Sequence, residues 1–136
     1  MAKTFRLVIL TPYGRYFDEE VEFLNVHSEN YNLGILPGHA PLISTLTISK
    51  MIIRRDQKDK KYAIGGGVIK VEKDCVTLIL DSVESAEEID VERAALAKKR
   101  AEERLKEAIN NETIDISRAK LALLRAVNRI NIKSKD

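Results

Sequence analysis

The chain has 136 residues, of which 44% are hydrophobic and only 5% aromatic, with no tryptophan and a single cysteine. Its 23 basic and 21 acidic residues leave a formal charge of +2; this balance disfavours nucleic acid as main partner, because phosphate binding needs concentrated positive charge. One cysteine excludes an internal disulfide and a cysteine-built zinc site and fits a reducing compartment; no secretory signal is read at the N-terminus, and no stretch approaches the ~20 apolar residues of a spanning helix.

The first part of the chain reads as short strands around an aliphatic core. Phe5-Arg6-Leu7-Val8-Ile9-Leu10-Thr11 is β-rich and ends at the turn signal Pro12-Tyr13-Gly14, which leads into Arg15-Tyr16-Phe17. Glu20-Val21-Glu22-Phe23-Leu24-Asn25-Val26 alternates as a strand with one wet face does. Leu33 to Leu42 holds two of the three prolines. There Pro37-Gly38 predicts a turn of defined shape and Pro41 pushes Ala40 toward extended geometry, so the segment is expected to be a rigid, apolar, partly exposed loop. It has no acid and no hydroxyl, and it suits docking better than chemistry.

Ile43 to Arg55 is rich in β-branched residues, and Arg54 to Lys61 predicts a charged hairpin tip. Tyr62-Ala63-Ile64, Val68-Ile69-Lys70-Val71 and Val76 to Leu80 predict three further strands, with Cys75 a small hydrophobe in the last. Gly65-Gly66-Gly67 feeds a β-branched strand and lacks the Gly-Lys-Ser/Thr ending of a phosphate loop. A bulge or a close crossing of strands explains it better. Short strands at this spacing argue a sandwich or a barrel.

Character changes near Asp81 to Glu88, and from Ile89 onward there is neither proline nor glycine. Asp90 is the expected N-cap of a helix with Arg93 in its first turn. Val91, Ala94, Ala97, Ala101, Leu105 and Ala108 recur at three- and four-residue steps, an apolar stripe made mostly of alanine. Asn110-Asn111-Glu112-Thr113 breaks the pattern, and Asp115 opens a second helix with Ile116, Ala119, Leu123, Ala126 and Ile130 on one face. The expectation is α+β: strands in residues 1–84, then an antiparallel helical hairpin in residues 85–136 with a thin mutual seam.

Arg93 and Arg100 stand seven apart, and Arg125 and Arg129 four apart, so each pair shares a helix face. One reading is a solvated face laced with glutamates. The other is that the folded hairpin brings four guanidinium groups toward one volume where a polyphosphate satisfies them, with Glu84 and Asp90 either neutralising the cluster or orienting the ligand. No nucleophile, water activator or metal-ligand cluster accompanies them, and His27 and His39 lack partners for catalysis, so an enzyme and a metal site are both disfavoured.

The loop Leu33-Gly34-Ile35-Leu36-Pro37-Gly38-His39-Ala40-Pro41-Leu42, the strand end Val8-Ile9-Leu10-Thr11-Pro12, the Gly65-Gly66-Gly67 strand entry and the trailing helical hairpin together resemble the epsilon subunit of bacterial F-type ATP synthase. The resemblance covers essentially the whole chain. It implies an N-terminal β-sandwich bound to the base of the gamma stalk and resting on the ring of c subunits, through Asn32, Gly34, Pro37, Gly38 and His39. Many members carry an acid where Asn32 stands; Asn32 lacks the charge for that ion pair but can still offer a hydrogen bond. His39 matches the family's loop histidine, either as a backbone-bonded turn residue or in coupling.

The resemblance also implies a C-terminal hairpin that folds down, or extends into the alpha/beta catalytic head and blocks ATP hydrolysis. Bacillus-type members bind ATP through Ile/Leu-Asp-x-x-Arg-Ala, which Ile89-Asp90-Val91-Glu92-Arg93-Ala94 matches at each fixed position. Glu84, Arg100, Arg125 and Arg129 stand at the places of the family's other ATP-binding residues. The expected protein is thus a non-catalytic rotor subunit with ATP as regulatory ligand, with or without Mg²⁺, and no required cofactor. It lies peripherally on the cytoplasmic face of the bacterial membrane, in contact with it only through the complex. The alternative is a free-standing small-molecule or nucleic-acid binding β-domain with a helical interaction tail.

Overall fold

In Phe23–His27 the residues Leu24 and Val26 are buried while Phe23, Asn25 and His27 are partly exposed, the two-residue period of a strand with one dry face. The same logic runs through the N-terminal part of the computed structural model, which describes residues 3–134. Eight strands form: β1 (Phe5–Thr11), β2 (Gly14–Val21), β3 (Phe23–His27), β4 (Asn32–Ile35), β5 (Leu42–Arg55), β6 (Lys58–Val71), β7 (Cys75–Leu80) and β8 (Val83–Ser85). Two helices follow, α1 (Val91–Glu107) and α2 (Ile116–Ser134). The described residues separate into two compact units at Ser85/Ala86, one residue beyond the sequence-read boundary.

The strand unit is a sandwich built on two long strands that serve both layers. Near Leu42, β5 pairs with the C-terminal half of β6, which pairs in turn with β7, and β7 runs parallel to β1 beside β2. Near Arg54, β5 pairs with β3, and β3 with β4, while Tyr62 to Ile64 of β6 take β8 on their other side. Both long strands change layers at the glycines. Leu46 pairs Gly67 and Ile48 pairs Gly65, with Thr47 and Gly66 left out of the ladder. Gly66 has φ +93°, and a Cβ on Gly67 would lie 2.9 Å from Leu80 Cα. The triple glycine is therefore a close strand crossing, where only a missing Cβ lets β6 pass. Leu7, Ile9, Leu24, Ile35, Met51, Ile64, Ile69, Leu78 and Leu80 fill the interior and are almost completely buried.

Several sequence-read boundaries move. Leu33 to Ile35 belong to β4, paired with β3, so the loop proper is residues 36–41. Tyr62–Ile64 and Val68–Val71 are one continuous strand, because glycine permits the bend without ending it. The charged tip contracts to a turn at Asp56 and Gln57, flanked by paired strand residues. Residues 20–26 divide at Glu22, whose N–H donates to the Arg54 carbonyl at 2.8 Å, and β8 was not anticipated.

In the helical unit, Asp90 caps α1 by accepting from the Arg93 N–H at 3.1 Å, and Asp115 caps α2 by accepting from the Arg118 N–H at 3.1 Å. Asn111 Oδ1 accepts from both the N–H and the hydroxyl of Thr113, closing the turn between the helices. The buried side chains are Ala94 and Ala101 on α1, and Ala119, Ala126 and Ile132 on α2. Val91 and Ile116, assigned to the stripes, are 41% and 47% exposed. They occupy first turns, where the partner helix covers less. Lys133 Nζ donates to the Ala86 carbonyl at 3.0 Å, tying the end of α2 to the segment that enters α1.

Candidate functional site

Two regions carry the residues singled out in the sequence, one in each unit. In the sandwich, His39 N–H donates to the Leu36 carbonyl at 3.2 Å, and Gly38 between them has φ +83°. Proline at the second position and a left-handed residue at the third define a type II turn. Nothing lies within 4 Å of a Cβ built on Gly38, so the backbone angle alone demands glycine there. Gly34 answers to a different constraint: a Cβ on it would meet the Phe23 ring at 3.3 Å. Arg54 lies over the same ring, 5.0 Å from its centroid.

Asn32 opens β4, which pairs on one edge only. Its Oδ1 accepts from Asn25 Nδ2 at 2.5 Å, and Asn25 Nδ2 also reaches the Leu33 carbonyl at 3.2 Å. An acid at position 32 could accept the same bond, so Asn32 keeps the local geometry without the charge. His39 Nδ1 lies 2.7 Å from the Ala40 carbonyl, so Nδ1 carries the proton and the ring is held to its own turn. Of the two readings of His39, this geometry supplies the structural one. Near the turn Tyr31, Leu36 and Ile43 are 51%, 58% and 70% exposed.

The hairpin shows a regularity that spacing alone did not single out. Each buried alanine of the two helices is preceded by arginine: Arg93-Ala94, Arg100-Ala101, Arg118-Ala119 and Arg125-Ala126. One residue back is about 100° around the helix, so these arginines stand on one flank of the seam, and Arg129, three residues after Ala126, falls on that flank too. Because the helices run in opposite directions, the same rotational sense on each brings the two rows to the same side of the hairpin. Counted from the turn, where α1 ends at Glu107 and α2 begins at Ile116, Arg93 lies level with Arg129, and Arg100, about 10 Å nearer the turn, lies closest to the level of Arg125.

Arg118 was missed. The repeated Arg-Ala pair was the available signal, and reading arginines by pairwise spacing passed over it. The α2 helix contains no acidic residue at all, so it cannot neutralise its own cations. The guanidinium groups of Arg93, Arg100, Arg118 and Arg125 have no hydrogen-bond or ion-pair partner among the described residues. Arg125 and Arg129 are half-buried, whereas Arg93, Arg100 and Arg118 are exposed. Within the motif the remaining side chains have local tasks. Ile89 is buried, Asp90 caps the helix, and Ala94 allows close helix approach. Glu84 lies on β8 in the sandwich unit, opposite Ala63 of β6.

Among the described residues no group of three His, Cys, Asp or Glu side chains stands ready to hold a metal, and no helix is long and apolar enough to cross a membrane.

Comparison with known proteins accounts for both units. Residues 4–86 match the family model described as ATP synthase, Delta/Epsilon chain, beta-sandwich domain, and residues 87–134 match its long alpha-helix domain. The ATP synthase epsilon chain of Bacillus licheniformis is 42% identical over 103 residues, covering 76% of this chain and 79% of that one. That of Pelotomaculum thermopropionicum is 47% identical over 103 residues, covering 76% and 77%. A chain in the cryo-EM structure of the Euglena gracilis mitochondrial ATP synthase (OSCP/F1/c-ring) shares the fold at a TM-score of 0.79 and 20% identity, over 92% of this chain and 78% of that chain. With both of its units matched in order, the chain belongs to the ATP synthase delta/epsilon chain family.

Proposed function

We propose that the sandwich is the fixed half of a rotor-stalk subunit, seated on the gamma subunit and the c ring, and that the hairpin is an ATP-responsive brake on hydrolysis. Family membership makes the chain a non-catalytic stalk component of ATP synthase. The fixed Pro37-Gly38 turn, the exposed Leu36 beside it and the edge strand bearing Asn32 suit a rigid docking end. Its position on the c-ring side gives the protein a peripheral place at the membrane.

The observation that carries the ATP reading is the arginine flank. Four guanidinium groups without a partner among the described residues, those of Arg93, Arg100, Arg118 and Arg125, share one flank of the hairpin, and its second helix carries no acid, so an anion that joins them relieves their repulsion. A triphosphate presents oxygens to match such forks bidentately. Arg93, Arg100, Arg125 and Arg129 would take the phosphates. Asp90 contributes through the cap, which fixes the first turn and hence Arg93. The proposal rests on hairpin residues alone, and neither Mg²⁺ nor Glu84 is needed for it.

ATP can favour the folded hairpin only through its preferential affinity for that state; at a hundred times its dissociation constant it contributes about 2.7 kcal/mol. Calorimetric titration of the full chain with ATP tests this. Arg93→Ala and Arg125→Ala should each weaken binding roughly tenfold or more, the loss expected for a charge-assisted hydrogen bond, with the sandwich still folded. Unchanged titrations of both variants refute the site. In the assembled enzyme, ending the chain after Glu88 should relieve inhibition of hydrolysis, and persistent inhibition would refute the brake.

A further inference from the structure

Three departures from regular structure meet at the far end of β5 from the Pro37-Gly38 turn. In the first, β1 and β2 slip register between Ile9 and Leu10, so that Tyr16 has no partner in the ladder. A bulge of this kind re-aims side chains, and here Tyr16 and the neighbouring Phe17 line the same concavity, although successive strand residues ordinarily face opposite ways. The second is at the β5–β6 tip, where Asp56 and Gln57 both have positive φ, 52° and 64°. Aspartate tolerates such a turn, but Gln57 stands where glycine is favoured, and Glu22 Oε1 supports it by accepting the Gln57 N–H at 2.9 Å. Third, Tyr62 forms an aromatic floor: Tyr16 meets it edge-on at 6.4 Å, and Lys60 Nζ lies 5.8 Å from its ring centroid.

The result is a concavity of about 480 Å³ with Ile53 and Tyr62 at its base, aromatic walls from Tyr16 and Phe17, and Arg55, Lys58 and Lys60 against the single carboxylate of Asp56. That volume falls within the range of small-ligand sites. Arg55 is ion-paired with Glu19, while the Lys58 ammonium has no partner among the described residues. Beyond Arg55 and Asp56 lies a second concavity, lined also by Thr4, Glu19, Glu20 and Glu22, whose acids repel a long polyanion. Aromatic walls favour a flat apolar body, the lysines favour one anionic group, and the acidic neighbour penalises further charge.

From this we infer that the end of the sandwich bearing Tyr16, Lys58 and Lys60 binds small organic anions made of a flat apolar body with a single phosphate or carboxylate, separately from the arginine flank of the hairpin.

Phenyl phosphate titrated into the isotope-labelled full chain tests the inference, with amide shifts as readout and inorganic phosphate, ATP and a hexaglutamate peptide as comparisons. Saturable shifts are expected at residues 14–19 and 53–62, weaker for inorganic phosphate, and unaffected by Arg125→Ala. Because both lysines are exposed, the double variant K58E/K60E should stay folded, with amide positions elsewhere unchanged, and lose roughly tenfold or more in affinity as two attractions become repulsions. Absence of saturable shifts in that region, equal affinity in the double variant, or tighter binding of hexaglutamate or ATP at those amides would each overturn it. Loss of the ATP response through Arg125→Ala leaves these outcomes untouched, so the two sites fail separately.

Discussion

Replacing Gly67 by alanine tests whether the triple glycine is a strand crossing. The new methyl would overlap the Ile79 carbonyl oxygen and come within 2.9 Å of Leu80 Cα. Both are backbone atoms of β7, so no rotamer change relieves the clash. The chain must instead open the Gly67–Leu80 end of the β6–β7 ladder, losing a hydrogen bond or two at about 1 kcal/mol each and accepting strain of about 1–3 kcal/mol. A destabilisation of about 3 kcal/mol or more is expected. Gly38→Ala is the control: its Cβ meets nothing within 4 Å and only the φ of +83° opposes it, so about 1–2 kcal/mol is expected. Urea unfolding of both variants, followed by a signal from the sandwich, measures the difference. If Gly67→Ala proved no worse than Gly38→Ala, the crossing would not be the reason for the glycines.

Asp90→Ala should destabilise the hairpin by about 1 kcal/mol through loss of the cap, whereas Asp90→Asn should retain it; helix melting by circular dichroism reads the difference, and ATP affinity preserved in Asp90→Asn would mark the residue as a cap rather than a ligand. Lys133→Met keeps the aliphatic stem but removes the bond to the Ala86 carbonyl, and should lower the melting point of the helical unit by an amount equivalent to about 1–2 kcal/mol. Asp18 accepts a two-pronged contact from Arg6 at 2.9 Å and a third from Arg15 at 3.1 Å, which hold its pKa below the ordinary value. A depressed carboxylate stabilises the fold above its unfolded pKa and loses that contribution as pH falls through the folded value, so stability should decline below about pH 4. Asp18→Asn should flatten this part of the profile, and a slope unchanged by the substitution would rule the cluster out as its source.

The parts legible in the sequence were those governed by local chemistry. Pro37-Gly38 specified its turn, Asp90 and Asp115 specified their caps, and the alanine stripes specified which helix faces meet. Less legible were features decided by distant partners. Leu33 to Ile35 looked like loop because glycine and flanking prolines dominate the local signal, yet pairing with Leu24 to Val26 makes them a strand. A break was read at Gly65-Gly66-Gly67, but β5 pairs with both halves and holds them in one strand. The hairpin-tip concavity was invisible because its aromatic wall comes from Tyr16, aimed by a register slip that no local pattern announces. Arg118 was legible through the repeated Arg-Ala pair and was passed over.

The contrast between the two units explains why regulation would reside in only one of them. The sandwich buries nine large aliphatic side chains almost completely across interlocked layers, so no ligand of ordinary affinity could compete with its packing. The hairpin seam relies on four alanine methyls, each contributing about 0.8 kcal/mol when buried, so those four together contribute about 3 kcal/mol. Partly buried leucines and Ile132 add to this, while repulsion along the arginine flank subtracts from it. A ligand that contributes about 2.7 kcal/mol at a hundred times its dissociation constant is therefore of the same size as the seam's central term. Alanine keeps the helices close enough to align two rows of arginines yet binds them weakly enough for those rows to matter. Larger seam residues would strengthen the packing but separate the rows, and with them the means by which a polyphosphate could decide between folded and open hairpins.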